Sequence, residues 1–225
     1  MLSVINHPWN LSEHSALQLQ QKLAAKVIKK DQFNDIQLVA GVDVAYQEGS
    51  DRLVAGVVIL DTATLEVVES SVAEDIAKFP YIPGLFSFRE LPPLIKAFSK
   101  IKCIPDLVVC DGQGIAHPRH FGLACHLGLI FDIPTIGCGK TQLIGKAGLP
   151  DILRGSIAPL IDHDEILGNI LRTQDNVKPV YVSIGHRISL DTACEWILKL
   201  SPKYRLPETT RMADQLVRQK IKEAM

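Results

Sequence analysis

Leu107 to Leu129 reads LVVCDGQGIAHPRHFGLACHLGL, and the fold depends on how this stretch divides. It opens as an apolar run, Leu107-Val108-Val109-Cys110, of the kind a strand buried on both faces shows. The run ends at an acid, Asp111, followed by Gly112 and Gly114. After His117, Pro118, Arg119 and His120 come Leu123, Leu127 and Ile130 at helical spacing. The stretch therefore predicts a strand, a glycine turn and a helix, a unit of an α/β sheet. Ligands of such sheets gather at the carboxyl ends of the strands. A lone Asp-Gly is as often a simple turn, but the His, Arg and His in the same loop mark this one as a candidate site.

Upstream, Leu38–Tyr46 reads LVAGVDVAY. Leu38, Ala40, Val42 and Val44 fall on one face of a strand; Val39, Gly41, Asp43 and Ala45 fall on the other. A carboxylate on that small apolar face is costly unless it is paired or bound to a metal. Strands at Val54–Leu60 and Leu65–Val72 follow with short connections, which predicts an antiparallel three-strand meander. Downstream, Pro134–Lys140, PTIGCGK, reads as a second buried strand. A helix separates it from Leu107–Cys110, so the two should be parallel neighbours, with Lys140 and Asp111 at the same sheet end. Gly139-Lys140-Thr141 matches the tail of a phosphate-binding P-loop, but Pro134 stands where its first glycine belongs, and that reading is rejected.

The rest of the chain frames these strands. Ser12 caps a helix expected to run to about Lys30, with Ala16, Leu19, Leu23 and Val27 as its apolar stripe. Phe79-Pro80-Tyr81-Ile82-Pro83-Gly84 is a stiff loop holding an aromatic between prolines. A helical piece, Leu85 to about Leu91, carries Arg89 and Glu90; Pro92 and Pro93 should end or kink it before Leu94–Phe98. Residues 142–178 give little signal, with strand-like pieces near Asn169–Arg172 and Val180–Ile184. Ser189 caps a helix to about Leu200, and Pro207 opens a last helix containing Asp214.

Composition narrows the class. The 225 residues are 47% hydrophobic and 22% charged, as in an ordinary folded domain, and a single domain over 1–225 is expected. No apolar run approaches the ~20 residues of a membrane span, and the N-terminus lacks a signal-peptide pattern. A cytoplasmic monomer without membrane contact is expected. Five cysteines without metal spacing read as reduced thiols. A net charge of −1 excludes coating of nucleic acid by bulk electrostatics, although seven Lys/Arg against three Asp/Glu make Lys199–Met225 locally basic.

Asp43, Glu90 and Asp111 come from a strand, a helix and a strand end. Brought together in an apolar sheet they would repel unless a divalent cation neutralised them. Oxygen-only donors suit Mg²⁺, with Mn²⁺ able to substitute. Such a site activates water and stabilises charge on a phosphoryl group. Lys140 would add a cation at the phosphate, and His117 could move a proton or bind a phosphate. The residues alone thus point to a metal-dependent phosphodiesterase acting on nucleic acid. A meander with an acid in its first strand, an acid-bearing helix and a parallel strand ending in an acid also parallel the ribonuclease-H-like fold.

The motifs carry a closer resemblance. GVDVAY at 41–46, PYIPGLFSFRE at 80–90, DGQGIAHPRHFGLACHLGL at 111–129, PTIGCGK at 134–140, GHRISLDTA at 185–193 and YRLPETTRMAD at 204–214 resemble the endonuclease V family of bacterial type over nearly the whole length. The resemblance implies a ribonuclease-H-like α/β fold. Its mixed sheet would have the antiparallel meander followed by parallel strands, with helices on both faces. It also implies Mg²⁺-dependent hydrolysis of the second phosphodiester bond 3′ to a deaminated base, deoxyinosine above all, in DNA repair. By motif position Asp43 and Asp111 would hold the metal, Glu90 would complete the acidic group, and His117 and Lys140 would assist catalysis. Asp214 would lie near the metal, and Pro80, Tyr81, Ile82 and Pro83 would be the wedge beside the lesion. Gly139 departs from the family, which often has Ala there. The alternative is another ribonuclease-H-like metal-dependent nuclease, acting on inosine-containing RNA or branched DNA; the PYIP loop argues against it. A non-catalytic binder would not need Asp43, Glu90, Asp111 and Lys140 together.

Overall fold

The computed structural model describes residues 1–223; Ala224 and Met225, the end of the expected domain span, lie outside the described residues. In chain order the elements are α1 (Glu13–Ala24), β1 (Leu38–Tyr46), β2 (Arg52–Asp61), β3 (Val67–Ile76), α2 (Phe86–Phe98), β4 (Leu107–Cys110) and α3 (Leu123–Phe131). They continue with β5 (Thr135–Gly139), β6 (Lys146–Ala147), β7 (Ile157–Asp162), β8 (Glu165–Leu171), β9 (Val180–His186), α4 (Leu190–Lys199) and α5 (Glu208–Glu223). One sheet holds all nine strands in the order β3-β2-β1-β4-β5-β9-β8-β7-β6.

β1, β2 and β3 form the antiparallel meander, and β4 and β5 are parallel neighbours, as the sequence predicts; β1 also pairs parallel with β4 and so joins the two parts. The sheet then extends further than predicted. β9 returns antiparallel to β5, and β8, β7 and β6 continue antiparallel beyond it. Their weak signal has a physical cause: in β7 the outward Ile157 and Ile161 are as apolar as the buried Ala158 and Leu160. The alternation that marks a half-buried strand is missing there.

Two helices differ from expectation. α1 stops at Ala24, well short of Lys30. The Ile28 N–H donates to His186 Nδ1 at 3.2 Å and its carbonyl accepts from the Arg187 N–H at 2.7 Å; tertiary bonds override the helical stripe. α2 runs from Phe86 through Pro92 and Pro93 to Phe98, so the prolines do not end it. Burial of Leu91, Leu94, Ala97 and Phe98 against the sheet offsets the lost helical hydrogen bonds.

α2 and α3 cover one face of the sheet, and α4 and α5 cover the other. On the second face α5 lies directly on the strands. A Cβ on Gly41 would sit 2.1 Å from the Thr209 carbonyl oxygen, and one on Gly56 would sit 2.7 Å from Val217 Cγ1. This is a ribonuclease-H-like sheet. Among the described residues no helix is long and apolar enough to cross a membrane. All five cysteines are free, and four of them are buried.

The N-terminal segment folds back over α2 and α3, stacking His7 and Trp9 on the buried His126. Burial holds His7, His117, His126 and His186 below the ordinary imidazole pKa of 6.5. Their unfolded forms take up protons first, so this share of stability is complete above about pH 6.5 and is lost as the pH falls. Each group can contribute at most ~1.4 kcal/mol per pH unit. His126→Gln should therefore show a smaller drop in unfolding free energy between pH 7 and pH 5 than the parent does. Urea titrations at both pH values measure it; an unchanged drop would mean that His126 is protonated in the fold.

Candidate active site

The parallel register places the acids. Val42 pairs with Cys110, so Asp43 and Asp111 are the next residues on neighbouring strands, whose spacing is about 4.8 Å. Val42 and Cys110 pack into the core under α2 and α3, and alternation turns the two aspartates toward α5. On β5, Cys138 lies in the core on the α5 side. Lys140, two residues on, emerges on that side, where its Nζ bonds to Asp111 Oδ2. Asp214 comes from α5 and accepts from Arg218 Nε at 2.8 Å. Glu90 arrives from α2 and accepts from the Tyr46 hydroxyl at 2.8 Å.

The electrostatics follow. Burial pushes the Asp43 carboxyl up to about 7, and the negative Asp111 and Asp214 push the same way against Lys140. Burial likewise raises Glu90 to about 7, with Asp111 adding to it and the Tyr46 hydrogen bond opposing. Burial weighs against a charged Lys140, but its bond to Asp111 and the nearby Asp43 and Asp214 hold its pKa above the ordinary value.

Lys140 neutralises Asp111, and Arg218 neutralises Asp214. Among the described residues no cation pairs with Asp43, and no three His, Cys, Asp or Glu side chains converge on one ion position as they stand. The donors are nonetheless all carboxylate oxygens, with more negative charge than the adjacent cations cancel. That set fits a hard divalent ion such as Mg²⁺ or Mn²⁺, with Asp43 and Asp111 the residues best placed to hold it.

Two concavities meet at Lys140. A groove of about 630 Å³ is lined by Asp43, Tyr46, Gln47, Asp214, Arg218 and Lys140. A cavity of about 330 Å³ lies on the other side of Lys140, walled by Glu90, Asp111, His117, Phe121 and several glycines. The first residues of α2, Phe86 and Ser87, and the start of α3, Gly122 and Leu123, also open onto it. Helix N-termini carry N–H groups without intrahelical acceptors; at α3 the Gly122 and Ala124 N–H groups donate to the Gly114 and Gln113 carbonyls, which leaves those of Phe86, Ser87 and Leu123 for the cavity.

The proline loop stands at the cavity mouth. Pro80 and Pro83 are exposed; Tyr81 is 67% exposed and its ring leans on Phe86, tilted by 40° at 4.7 Å between centroids. Ile82 is half-buried against Phe79, Leu85 and Phe88. The loop is anchored at Gly84, whose carbonyl accepts from Gln20 Nε2 at 3.0 Å and from Arg119 Nη2 at 2.8 Å. Gly84 has φ +79°, the left-handed region open to glycine. His117 packs beside it, and burial together with the Arg119 charge lowers its pKa to about 4. The ring is neutral near pH 7, which leaves it hydrogen bonding and proton exchange but not cationic phosphate binding.

The structure thus gathers Asp43, Asp111, Lys140 and Asp214 on one side, brings Glu90 in through Tyr46, and sets His117 and the Pro80–Pro83 loop around the cavity. Sequence reasoning missed Gln20, Tyr46 and Arg218. Gln20 left a trace, because it interrupts the buried face of α1 between Ala16 and Leu23. At Gly139 a Cβ would lie 2.3 Å from Gln113 Nε2, so an alanine there would need only that side-chain amide to shift.

Acids and a lysine cluster where parallel strands end on a ribonuclease-H-like sheet, the arrangement expected of a nuclease. The sequence model of one nuclease family, Endonuclease V, matches residues 21–215. Endonuclease V of Trichormus variabilis is 50% identical over 211 residues, covering 93% of this chain and 96% of that one. This chain belongs to the Endonuclease V family. The crystal structure of Endonuclease V from Streptomyces avermitilis superposes with a TM-score of 0.93 at 46% identity, covering 100% of this chain and 99% of that one. Endonuclease V of Ciona intestinalis, solved with DNA containing an inosine followed by a ribo-adenosine, gives 0.85 at 25% identity, covering 96% and 100%.

Proposed function

We propose that this nuclease acts in repair of deaminated DNA, recognising deoxyinosine and hydrolysing the second phosphodiester bond 3′ to it with Mg²⁺. The observation that carries this reading is the pair of concavities sharing Lys140. The apolar cavity, near the lower end of small-ligand pockets, suits an extruded base, whose keto oxygen would meet the N–H groups at the starts of α2 and α3. The groove, where Lys140, Arg218 and Lys222 stand beside Asp43, Glu48 and Asp214, suits the backbone of the same strand. The inosine-containing DNA bound by the Ciona relative supports the substrate class.

A divalent cation held by Asp43 and Asp111 would supply Lewis-acid charge at the scissile phosphate. Lys140, now on Asp111, would turn to a phosphate oxygen as charge develops there. Arg218, now on Asp214, would steady the strand in the groove, and the neutral His117 could pass a proton at the cavity wall. The test compares a deoxyinosine duplex, an inosine-containing RNA and a DNA–RNA hybrid, each with and without Mg²⁺. Cleavage of the deoxyinosine duplex only with Mg²⁺ is expected. Preferred cleavage of the hybrid would overturn the reading.

The exposed Tyr81 ring, braced by Pro80 and Pro83, would fill the gap that an extruded base leaves. Tyr81→Ala should weaken lesion binding by about 1–3 kcal/mol, the range of base–aromatic stacking, and should speed release of the nicked product. A lesion-duplex titration with single- and multiple-turnover kinetics measures both. Parent-like binding and release would make the loop an ordinary turn.

A further inference from the structure

A chain of hydrogen bonds ends at the cavity wall, and its direction can be read. The His7 Nδ1 lies 2.9 Å from the Pro8 carbonyl oxygen. A carbonyl only accepts, so His7 carries its proton on Nδ1 and leaves Nε2 as the acceptor. His7 Nε2 is 2.8 Å from His126 Nε2, so His126 donates there. Burial keeps both rings neutral near pH 7, and the His126 Nδ1 is therefore an acceptor. It faces Ser87 Oγ at 2.9 Å, and the Ser87 proton is committed to it. Ser87 lines the cavity, to which its hydroxyl can then offer lone pairs and no proton.

We infer that Ser87, polarised by the His126–His7–Pro8 relay, is a specificity residue that accepts a hydrogen bond from the ring N–H of the extruded base. The inference rests on the cavity holding that base. Hypoxanthine carries a proton on N1, whereas adenine presents a bare acceptor at N1. An acceptor-only hydroxyl bonds to the first and opposes the second. A free serine hydroxyl could rotate to suit either, so discrimination requires the relay and not the serine alone. His7 and Pro8 lie over a hundred residues from His126 in sequence, and the N-terminal segment acquires through them a role beyond covering the core.

The experiment pairs an atom of the protein with an atom of the base. The parent and Ser87→Ala are assayed in single turnover on duplexes carrying hypoxanthine or 1-deazahypoxanthine, in which C–H replaces the N1–H. The parent is expected to cleave hypoxanthine about tenfold faster, the size of one hydrogen bond, and Ser87→Ala to cleave the two at one rate. If Ser87→Ala keeps the parent's preference, or if the parent shows none, the assignment of Ser87 is overturned. A parent that cleaves an adenosine duplex as fast as an inosine duplex would instead overturn the proposed function. His7→Phe cuts the relay while leaving Ser87 in place. It should narrow the inosine-to-adenosine rate ratio by about tenfold, with Ser87→Thr keeping the parent ratio. An unchanged ratio in a His7→Phe protein that melts as a folded chain overturns the relay.

Discussion

Asp43→Asn is expected to abolish cleavage and to make the metal-free protein more stable. Loss of cleavage by at least ~10³-fold corresponds to several kcal/mol of charge stabilisation withdrawn from the phosphate. The gain in stability comes from the raised carboxyl. Its pKa moves from an ordinary 3.8 to about 7 in the fold, so the folded state binds the proton more tightly than the unfolded chain. Such a group weakens the fold as the pH rises: its cost is absent below about pH 4, grows between pH 4 and 7, and is complete above that. Replacing it should raise Tm at pH 8, by about 2–4 °C for each kcal/mol relieved, and leave Tm unchanged near pH 4. The parent should be stabilised by Mg²⁺ and the variant should not. Asp111→Ala should lose cleavage as completely, although freeing Lys140 beside it complicates the stability readout. Near-parental cleavage by Asp43→Asn, or a Tm gain that does not grow with pH, would remove Asp43 from the centre of the site.

Lys140→Ala is expected to slow the chemical step by roughly 10²- to 10³-fold, the effect of losing one preorganised donor, while lesion binding weakens far less. Lys140 bonds to Asp111 in this structure, so its alternative role is simply to neutralise that aspartate. The two roles separate kinetically. A group that meets charge only in the transition state lowers single-turnover rate at saturation, whereas a phosphate anchor lowers affinity and turnover together. Equal losses in both would make Lys140 an anchor.

Much of this was legible in the sequence. Leu107–Cys110 is apolar throughout and Thr135–Gly139 is nearly so because both faces are covered, and β1 betrays Asp43 because an acid breaks an otherwise apolar face. Parallel order then follows from the single helix between β4 and β5, and with it the meeting of Asp111 and Lys140. What stayed hidden depends on partners distant in sequence. The early end of α1 is set by His186 and Arg187, and α2 tolerates two prolines because the sheet receives its buried side. Tyr46 and Arg218 gain a role only when Glu90 and Asp214 are placed against them.

The direct seating of α5 on β1 and β2 at Gly41 and Gly56 has a consequence for synthesis. α5 leaves the ribosome after every strand of the sheet, yet it supplies Asp214 to a site whose Asp43 sits in the first strand. Until it docks, the side of the meander that faces α5 lies uncovered and the groove lacks the wall that carries Asp214 and Arg218. A nascent chain can therefore build most of its sheet before the groove has its α5 wall, and one late step, a single helix closing on two glycines, completes that groove.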